Sequence, residues 1–225
     1  LTGEIDHHCA KVYITDIIGK LEAYTPQVCI LDFRDVTFMD SSGIAVVINT
    51  LLNMKKIAIV TGASSGIGKE FFLELIAREP NLEEVWVIAR SEDKLLALQE
   101  LSPIPLRVFA LDLSKAESIA VLETALQSES PDIRYLICAS GFGRFSAVDD
   151  DNREVLENMV DLNCRSIVGV TKACYPYMKK GGMMLLVASV AAFQPIPYIA
   201  TYGASKAFVL SYGRALNKEL RAAKG

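Results

Sequence analysis

The sequence is poor in the residues that usually hold metals or form disulfides. Its only histidines, His7 and His8, are adjacent, and its five cysteines are scattered without a Cys-x-x-Cys pair. Zinc sites and disulfide frameworks need such residues at recurring short spacings. We therefore expect no metal site, and reduced thiols in a cytoplasmic protein.

Runs of basic residues and uninterrupted apolar stretches are also missing. The 225 residues carry a formal net charge of −4, which argues against binding to nucleic acid or to an anionic membrane surface. The uncharged stretch 181–205 contains Pro195 and Pro197, which do not suit a continuous membrane-spanning helix. The length suffices for one sizeable α/β domain or for two small ones.

The sequence does contain an apolar strand followed at once by a glycine-rich turn. Residues 60–69 read Val-Thr-Gly-Ala-Ser-Ser-Gly-Ile-Gly-Lys and lead into a helical pattern. Gly62 can take backbone angles closed to other residues, Gly66 leaves room for a pyrophosphate, and Gly68 lets the helix lie close to the strand. The helix would then point its unpaired N–H groups at the anion.

Two other glycine-loop types do not fit these residues. A nucleotide-triphosphatase loop has four residues between its glycines and ends in Gly-Lys-Ser/Thr. Here five residues separate Gly62 from Gly68, and Lys69 is followed by Glu70. The common dinucleotide fingerprint is Gly-x-Gly-x-x-Gly, whereas this order is Gly-x-x-x-Gly-x-Gly. A plain strand-turn-helix without a ligand stays an alternative for the motif taken alone.

From residue 55 onward, predicted strands and helices alternate. The strands are expected near 57–60, 84–89, 107–111, 135–139 and 183–188, and the helices near 67–78, 93–101, 116–127, 153–178 and 202–222. Such alternation indicates a doubly wound parallel sheet with right-handed crossovers and helices on both faces. Ligands of such sheets bind beyond the carboxyl ends of the strands, where the strand order reverses.

The residues after the second and third of these strands bear on the choice of dinucleotide. A fold that binds NAD places Asp or Glu about 20 residues beyond the turn, whereas this sequence has Arg90. A guanidinium suits a 2′-phosphate, so Arg90 favours NADP, and NAD stays open. Asp112 is placed to hydrogen-bond an adenine amine. The alternatives are a solvated strand end for Arg90 and an ordinary turn-initiating residue for Asp112.

Ser189, Tyr202 and Lys206 are the catalytic candidates. Residues four apart on a helix share a face, so the ammonium of Lys206 should lie near the phenol of Tyr202 and favour its ionised form. Such a tyrosine can give a proton to a developing alkoxide or take one from an alcohol. Ser189, at the end of the fifth strand, would hydrogen-bond the same substrate oxygen.

A second pair, Tyr175 and Lys179, repeats this spacing without its context. Pro176 stands beside it, the pair precedes the fifth strand, and Leu162 occupies the place of the paired serine. We interpret this pair as a helix end with a solvated lysine.

Residues 55–225 resemble the short-chain dehydrogenase/reductases. The resemblance rests on Thr61-Gly62-x-x-x-Gly66-Ile67-Gly68, Asp161-Leu162-Asn163, Val187-Ala188-Ser189 and Tyr202-Gly203-Ala204-Ser205-Lys206. It implies that Tyr202 is the acid/base and that Ser189 orients the carbonyl. It also implies that Lys206 holds the nicotinamide ribose and that Asn163 supports a water in the proton relay. The expected cofactor-binding residues are Gly62, Ser64, Ser65, Gly66, Ile67, Gly68, Arg90, Asp112, Gly141, Tyr202 and Lys206.

The same resemblance implies dimers or tetramers built on the helices near 153–180 and 202–222. Two departures from the family pattern stand out. After the fourth strand, Cys138-Ala139-Ser140-Gly141 replaces the usual Asn-Asn-Ala-Gly, so the side-chain amide that ties neighbouring strands together is gone. The sequence given stops at Gly225, and we expect the family's last strands and its substrate-binding loop to be lacking. The nicotinamide side of the pocket would then lack a wall.

Residues 1–54 are interpreted as a separate, partial α/β unit. Residues 1–8 and 31–44, the latter including Asp40-Ser41-Ser42-Gly43, resemble the bacterial anti-sigma-factor antagonists, which have the STAS fold. In that family a partner kinase phosphorylates the first serine of this motif, which corresponds to Ser41. A phosphate would add about two negative charges at a helix N-terminus. The alternative is a simple helix N-cap.

Three functional hypotheses follow from these patterns. The first is an oxidoreductase that moves a hydride between NADP(H) and a small-molecule carbonyl or alcohol. The second is a phosphorylation-regulated partner of an anti-sigma-factor kinase, acting through residues 1–54. The third is that the sequence joins two gene fragments artificially, the alternative being a piece of a genuine fusion. A related possibility is a dinucleotide-binding fragment without turnover. The substrate and the direction of the reaction do not follow from these residues.

Overall fold

The computed structural model describes residues 2–5, 12, 28–29, 35–39, 56–80, 82–129 and 131–224. Ser41 and the predicted helix that follows it lie outside these residues. The division of the chain between residues 54 and 55 stays a prediction. Within the described part of residues 1–54, two strands, β1 (Thr2–Ile5) and β3 (Asp35–Met39), pair with each other in parallel.

The main sheet of the described residues is parallel throughout, with the strand order β2-β8-β7-β4-β5-β6. Its strands are β2 (Val28–Cys29), β4 (Ile57–Thr61), β5 (Val85–Ala89), β6 (Leu106–Ala110), β7 (Ile133–Cys138) and β8 (Met178–Leu186). The short strand β2 pairs with β8 through the register Val28 to Met184 and Cys29 to Leu185. The sequence did not predict this pairing.

Helices cover the sheet on both faces, so the predicted doubly wound architecture is confirmed. They are α1 (Gly66–Arg78), α2 (Glu92–Leu96), α3 (Ala116–Glu129), α4 (Arg153–Val160), α5 (Ser166–Cys174) and α6 (Ala200–Lys224). No helix of the described residues is both long enough and apolar enough to span a membrane.

The two faces of the sheet bury separate sets of side chains. Val60 and Val87 belong to one cluster with Phe72 of α1, while the alternate positions Ile59 and Trp86 belong to another cluster with helices that include α3. Strand residues alternate between faces, so a strand buried on both sides must be apolar throughout. This requirement explains why β5 reads as a continuous apolar run, why β4 does so up to Thr61, and why β7 does so after Arg134.

The strand order reverses beside β4, which has β5 on one side and β7 on the other. The chain moves outward from β4 through β5 to β6, and then crosses back to β7 and β8. The crevice between the ends of β4 and β7 is therefore the place where this architecture binds ligands.

The region between β7 and β8 differs from the single helix predicted over 153–178. A π-helical turn at Asp161–Arg165 separates α4 from α5, and the helix ends at Cys174. Tyr175–Tyr177 form a 3-10 turn that contains Pro176, and β8 begins directly afterwards. Proline lacks the N–H that another helical turn would need. Lys179 consequently lies in a strand, so it does not share a helical face with Tyr175.

Candidate active site

The turn after β4 has the backbone geometry that its glycines predict. Gly62 and Gly66 have φ angles of +73° and +55°, which side-chain-bearing residues rarely adopt. A Cβ at Gly68 would lie 2.3 Å from the carbonyl oxygen of Gly62, so only glycine lets α1 lie this close to the strand. Nothing lies within 4 Å of a Cβ position at Gly66, so the turn is open on that side.

The turn forms one wall of a groove of about 400 Å³ along the carboxyl edge of the sheet. Among its lining residues, the sequence predicted the following: Gly62, Ser64, Ser65, Gly66, Ile67, Gly68, Arg90, Asp112 and Gly141. The groove is also lined by Lys94, which the sequence analysis missed. Lys94 lies in α2, four residues after Arg90 and close to the end of β5. A second cation near this strand end was the signal that could have predicted it.

Asp112 lies in a turn of its own beside this groove. Its Oδ1 accepts hydrogen bonds from the backbone N–H of Ser114 at 3.0 Å and from the Ser114 hydroxyl at 2.7 Å. Burial acts to raise the pKa of Asp112, but the Ser114 hydrogen bonds and the charges of Arg90 and Lys115 together lower it below its usual value. The carboxylate is therefore ionised and fixed at the groove.

Thr61 provides a link between neighbouring strands at the place where the family's asparagine is missing. The hydroxyl oxygen of Thr61, at the end of β4, accepts a hydrogen bond from the backbone N–H of Ser140, just beyond β7. The two atoms are 3.1 Å apart. The link that the family's asparagine would make from β7 is thus replaced by a link from β4, made by the side chain of Thr61.

Lys206 is almost completely buried next to Tyr202 on α6. Its Nζ donates to the carbonyl oxygen of Val187 at 2.8 Å and lies 5.8 Å from the centroid of the Tyr202 ring. The side chain is only 6% exposed. Burial lowers the pKa of Lys206 from 10.5 to about 8, and the charge of Cys164 acts weakly in the opposite direction.

Ser189 lies in the turn that follows β8. It is the N-cap of a 3-10 turn, Val190–Ala192, and its hydroxyl oxygen accepts a hydrogen bond from the N–H of Ala191 at 3.2 Å. Its own O–H stays available as a donor. A Cβ at Gly203 would lie 3.2 Å from the carbonyl oxygen of Ala191, so a small residue there lets this turn approach α6.

Asn163 lies in the π-helical turn and is completely buried. Its Oδ1 accepts from the N–H of Phe142 at 3.1 Å, and its Nδ2 donates to the carbonyl oxygen of Phe142 at 2.9 Å. The same Nδ2 donates to the hydroxyl of Ser205, also at 2.9 Å. Ser205 in turn donates to the carbonyl oxygen of Tyr202 at 2.7 Å. Ser205 is not among the site residues predicted from the sequence. Its place in the motif, directly before Lys206, was the available signal.

Two glycines after β7 let the loop pass close to these side chains. A Cβ at Gly141 would lie 2.9 Å from Oδ1 of Asn163 and 3.5 Å from Nζ of Lys206. A Cβ at Gly143 would lie 2.9 Å from Cδ2 of the Tyr202 ring. Asn163, Tyr202 and Lys206 therefore lie along one loop, and Gly141 joins them to the groove, whose own lining does not include Tyr202 or Lys206.

Comparison with known proteins gives two family matches. The short chain dehydrogenase model matches residues 56–224, and the STAS domain model matches residues 1–61. A very-long-chain 3-oxoacyl-CoA reductase of Neurospora crassa is 34% identical over 173 residues, which are 73% of this chain and 51% of that protein. The chain thus spans about half the length of the curated relatives of this kind that it matches.

Solved structures agree with this assignment. The bulky-bulky ketone specific alcohol dehydrogenase from Comamonas testosteroni superposes with a TM-score of 0.66 at 28% identity, over 74% of this chain and 68% of that chain. A short-chain dehydrogenase from Sphingobium yanoikuyae in complex with NADPH gives a TM-score of 0.66 at 27% identity, over 75% and 66%. The family model alone covers well over half of the sequence. The chain belongs to the short-chain dehydrogenase/reductase family.

Proposed function

We propose that this chain carries the cofactor and proton-transfer machinery of an NADP(H)-dependent oxidoreductase that interconverts a carbonyl and an alcohol. The observation that carries the proposal is that Lys206, buried beside the Tyr202 ring, adjoins the glycine-lined groove: its Nζ lies 3.5 Å from a Cβ position at Gly141, which lines that groove. Because the chain spans only part of its relatives, the activity of the whole protein is part of the proposal.

The groove fits the phosphate groups of a dinucleotide. Gly66 leaves the turn open, and the N-terminus of α1 directs unpaired N–H groups towards this opening. Exposed Arg90 and Lys94 place two positive charges at the same groove, which suits the 2′-phosphate of NADP. NAD is the alternative cofactor, and Arg90 is the residue that distinguishes the two.

NADPH, when bound, supplies a hydride to the carbonyl carbon of the substrate. In that direction Tyr202 gives its phenolic proton to the carbonyl oxygen, and the free O–H of Ser189 donates a hydrogen bond to the same oxygen. Lys206 lies beside the Tyr202 ring and compensates the charge left on the phenolate. In the direction of alcohol oxidation the same groups act in reverse.

Asn163 has a positioning role in this proposal. Its carboxamide makes three hydrogen bonds, to Phe142 and Ser205, and so fixes the loop after β7 against the helix that carries Tyr202. The water that the family resemblance assigns to Asn163 stays a prediction.

Association of copies through α5 and α6 is a further part of the proposal. It is supported by the family resemblance and by Val168 and Phe208, which are apolar yet 38% and 40% exposed on these two helices.

The N-terminal segment supports a second candidate function. The STAS domain model matches residues 1–61. The resemblance of this segment to the anti-sigma-factor antagonists suggests phosphorylation, with Ser41 as the acceptor and an anti-sigma-factor kinase as the partner. A phosphate there would change the charge of any surface that contacts the neutral serine.

We expect Tyr202→Phe to lower NADPH oxidation by at least about a hundredfold, because the substrate oxygen loses its proton donor. Binding of NADPH, followed by fluorescence, should be retained. Tyr175→Phe is the matched control, since it alters the other Tyr-x-x-x-Lys pair, and it should keep full activity. Unchanged turnover in Tyr202→Phe would show that another group is the acid.

The buried ammonium of Lys206 should lose its proton near pH 8, the value to which burial lowers its pKa. An NMR titration of the lysine Nζ signals, with the signal assigned by its loss in Lys206→Arg, measures this midpoint.

Between about pH 8 and 10.5 the unfolded chain binds a proton that the folded chain has released, so the free energy of unfolding should rise with pH. Lys206→Met should abolish that rise, and a midpoint at 10.5 would contradict the desolvation argument.

We expect Arg90→Ala to weaken NADPH binding by about tenfold, the typical loss of a charge-assisted hydrogen bond. Binding of NADH should change little, because NADH lacks the 2′-phosphate. Fluorescence titration with both nucleotides measures the two dissociation constants, and Lys218→Ala serves as a control at an exposed lysine outside the groove lining. An equal loss for NADPH and NADH would disprove the assignment of Arg90.

Incubation of the full chain with ATP and a bacterial anti-sigma-factor kinase should add one phosphate, detected by intact-mass measurement. Ser41→Ala should abolish the addition, whereas Ser42→Ala should retain it because it leaves the first serine of the motif in place. Full phosphorylation of Ser41→Ala would remove this second candidate function.

A further inference from the structure

Two exposed aromatic rings lie next to the candidate catalytic centre. Phe145 is 74% exposed and Tyr198 is 60% exposed. Their ring centroids are 6.2 Å apart and their planes deviate by 25° from parallel. Exposure of large rings to water is unfavourable, so a stacked pair at the surface indicates a contact that the pair is built to make.

The rings continue the surface of the catalytic centre. The loop after β7 passes so close to the Tyr202 ring at Gly143 that a Cβ there would lie 2.9 Å from Cδ2, and it reaches Phe145 two residues later. Tyr198 lies two residues before Ala200, the first residue of the helix that carries Tyr202. Both rings are therefore carried by segments that lead directly to Tyr202.

The segments that carry the two rings are fastened together. The backbone N–H of Ser146 donates to the carbonyl oxygen of Tyr198 at 2.8 Å. On the other side of Phe145, Nε of Arg144 lies 2.7 Å from Oδ1 of Asp151, whose side chain is only 7% exposed. The backbone positions that carry the rings are consequently fixed relative to each other, which reduces the entropy lost when an apolar group binds.

Tyr198 adopts a strained backbone conformation. Its φ angle is +66°, in the left-handed region that is unfavourable for an aromatic residue. Such strain persists only where surrounding contacts impose it, and it is concentrated at ligand-binding positions. The hydrogen bond from Ser146 is one of these contacts, so the strain and the position of the ring are linked.

The charges around the rings disfavour an anionic ligand. Arg144 is paired with Asp151, and the exposed carboxylates Asp149 and Asp150 follow on the same loop. The described residues of this loop therefore carry a net negative charge, which disfavours an anionic substituent and has no such effect on an uncharged one.

We propose that Phe145 and Tyr198 form a subsite for an uncharged aromatic substituent of the carbonyl substrate. The subsite rests on the oxidoreductase function proposed above and specifies its substrate class. The rings offer their faces and edges to a further ring, an arrangement that aromatic groups favour beyond simple apolar contact.

The test compares two methyl ketones that differ by a phenyl group, 4-phenyl-2-butanone and 2-butanone. Their dissociation constants for the full chain with saturating NADP⁺ are measured by ligand-observed NMR. We expect tighter binding of the phenyl ketone. Phe145→Ala should weaken it about fivefold to tenfold and leave 2-butanone within about twofold. Tyr198→Asn should act similarly, because asparagine tolerates a positive φ and folding is retained.

Two variants serve as controls. Phe145→Tyr keeps the ring and should keep the preference for the phenyl ketone. Leu101→Ala removes another large exposed apolar side chain, which is 53% exposed and lies in a separate 3-10 turn, and it should change neither dissociation constant.

Equal affinity of the wild-type chain for both ketones would overturn the subsite, as would an equal loss for both in the ring variants. Altered sedimentation of these variants with unchanged ketone binding would assign the rings to a contact between copies and would also overturn it. NADPH oxidation is followed separately with both ketones. Ring-dependent binding without any turnover would contradict the oxidoreductase function while supporting the subsite.

Discussion

Asn163 connects the two parts of the protein that must meet for the site to exist. Its buried carboxamide makes hydrogen bonds to both backbone polar groups of Phe142 and to the hydroxyl of Ser205. A buried amide that loses one partner retains an unsatisfied polar atom, which costs about 1–3 kcal/mol. The loop after β7 and the helix α6 are therefore held in one relative position, and the distances between Gly143, Tyr202 and Lys206 depend on that position.

The same dependence extends into the sheet. Lys206 donates to the carbonyl oxygen of Val187, and the N–H of Val187 donates to the carbonyl oxygen of Cys138 at the end of β7. The lysine is thus anchored to the edge of the sheet rather than to its own helix. Because its ammonium is almost completely desolvated there, its pKa falls to about 8. Burial therefore limits the pH range over which Lys206 carries the positive charge that its proposed role requires.

Local pattern predicted the parallel sheet, the glycine turn and the positions of Tyr202 and Lys206, because each depends on periodicity or on spacing within one element. The parts that the sequence did not predict depend on contacts between distant elements. The link from Thr61 to Ser140 joins residues 79 positions apart, and that from Asn163 to Ser205 joins residues 42 positions apart. The π-helical turn that contains Asn163 follows α4 and precedes α5 without a break. The apolar pattern continues through it, so the sequence predicted one long helix over 153–178. The early start of β8 follows from Pro176, which was visible, but its extent depends on pairing with β7.

The two ends of the carboxyl edge differ in their chemistry. At the β5 and β6 end, Arg90 and Lys94 are exposed cations and Asp112 is an ionised carboxylate, an environment for polar and charged parts of a ligand. At the opposite end, Phe145 and Tyr198 offer stacked apolar rings. Tyr202 and Lys206 lie with Gly141 and Asn163 beyond the crevice between β4 and β7. A charged dinucleotide and an uncharged substrate, as proposed above, would therefore each gain most from a different end of this edge.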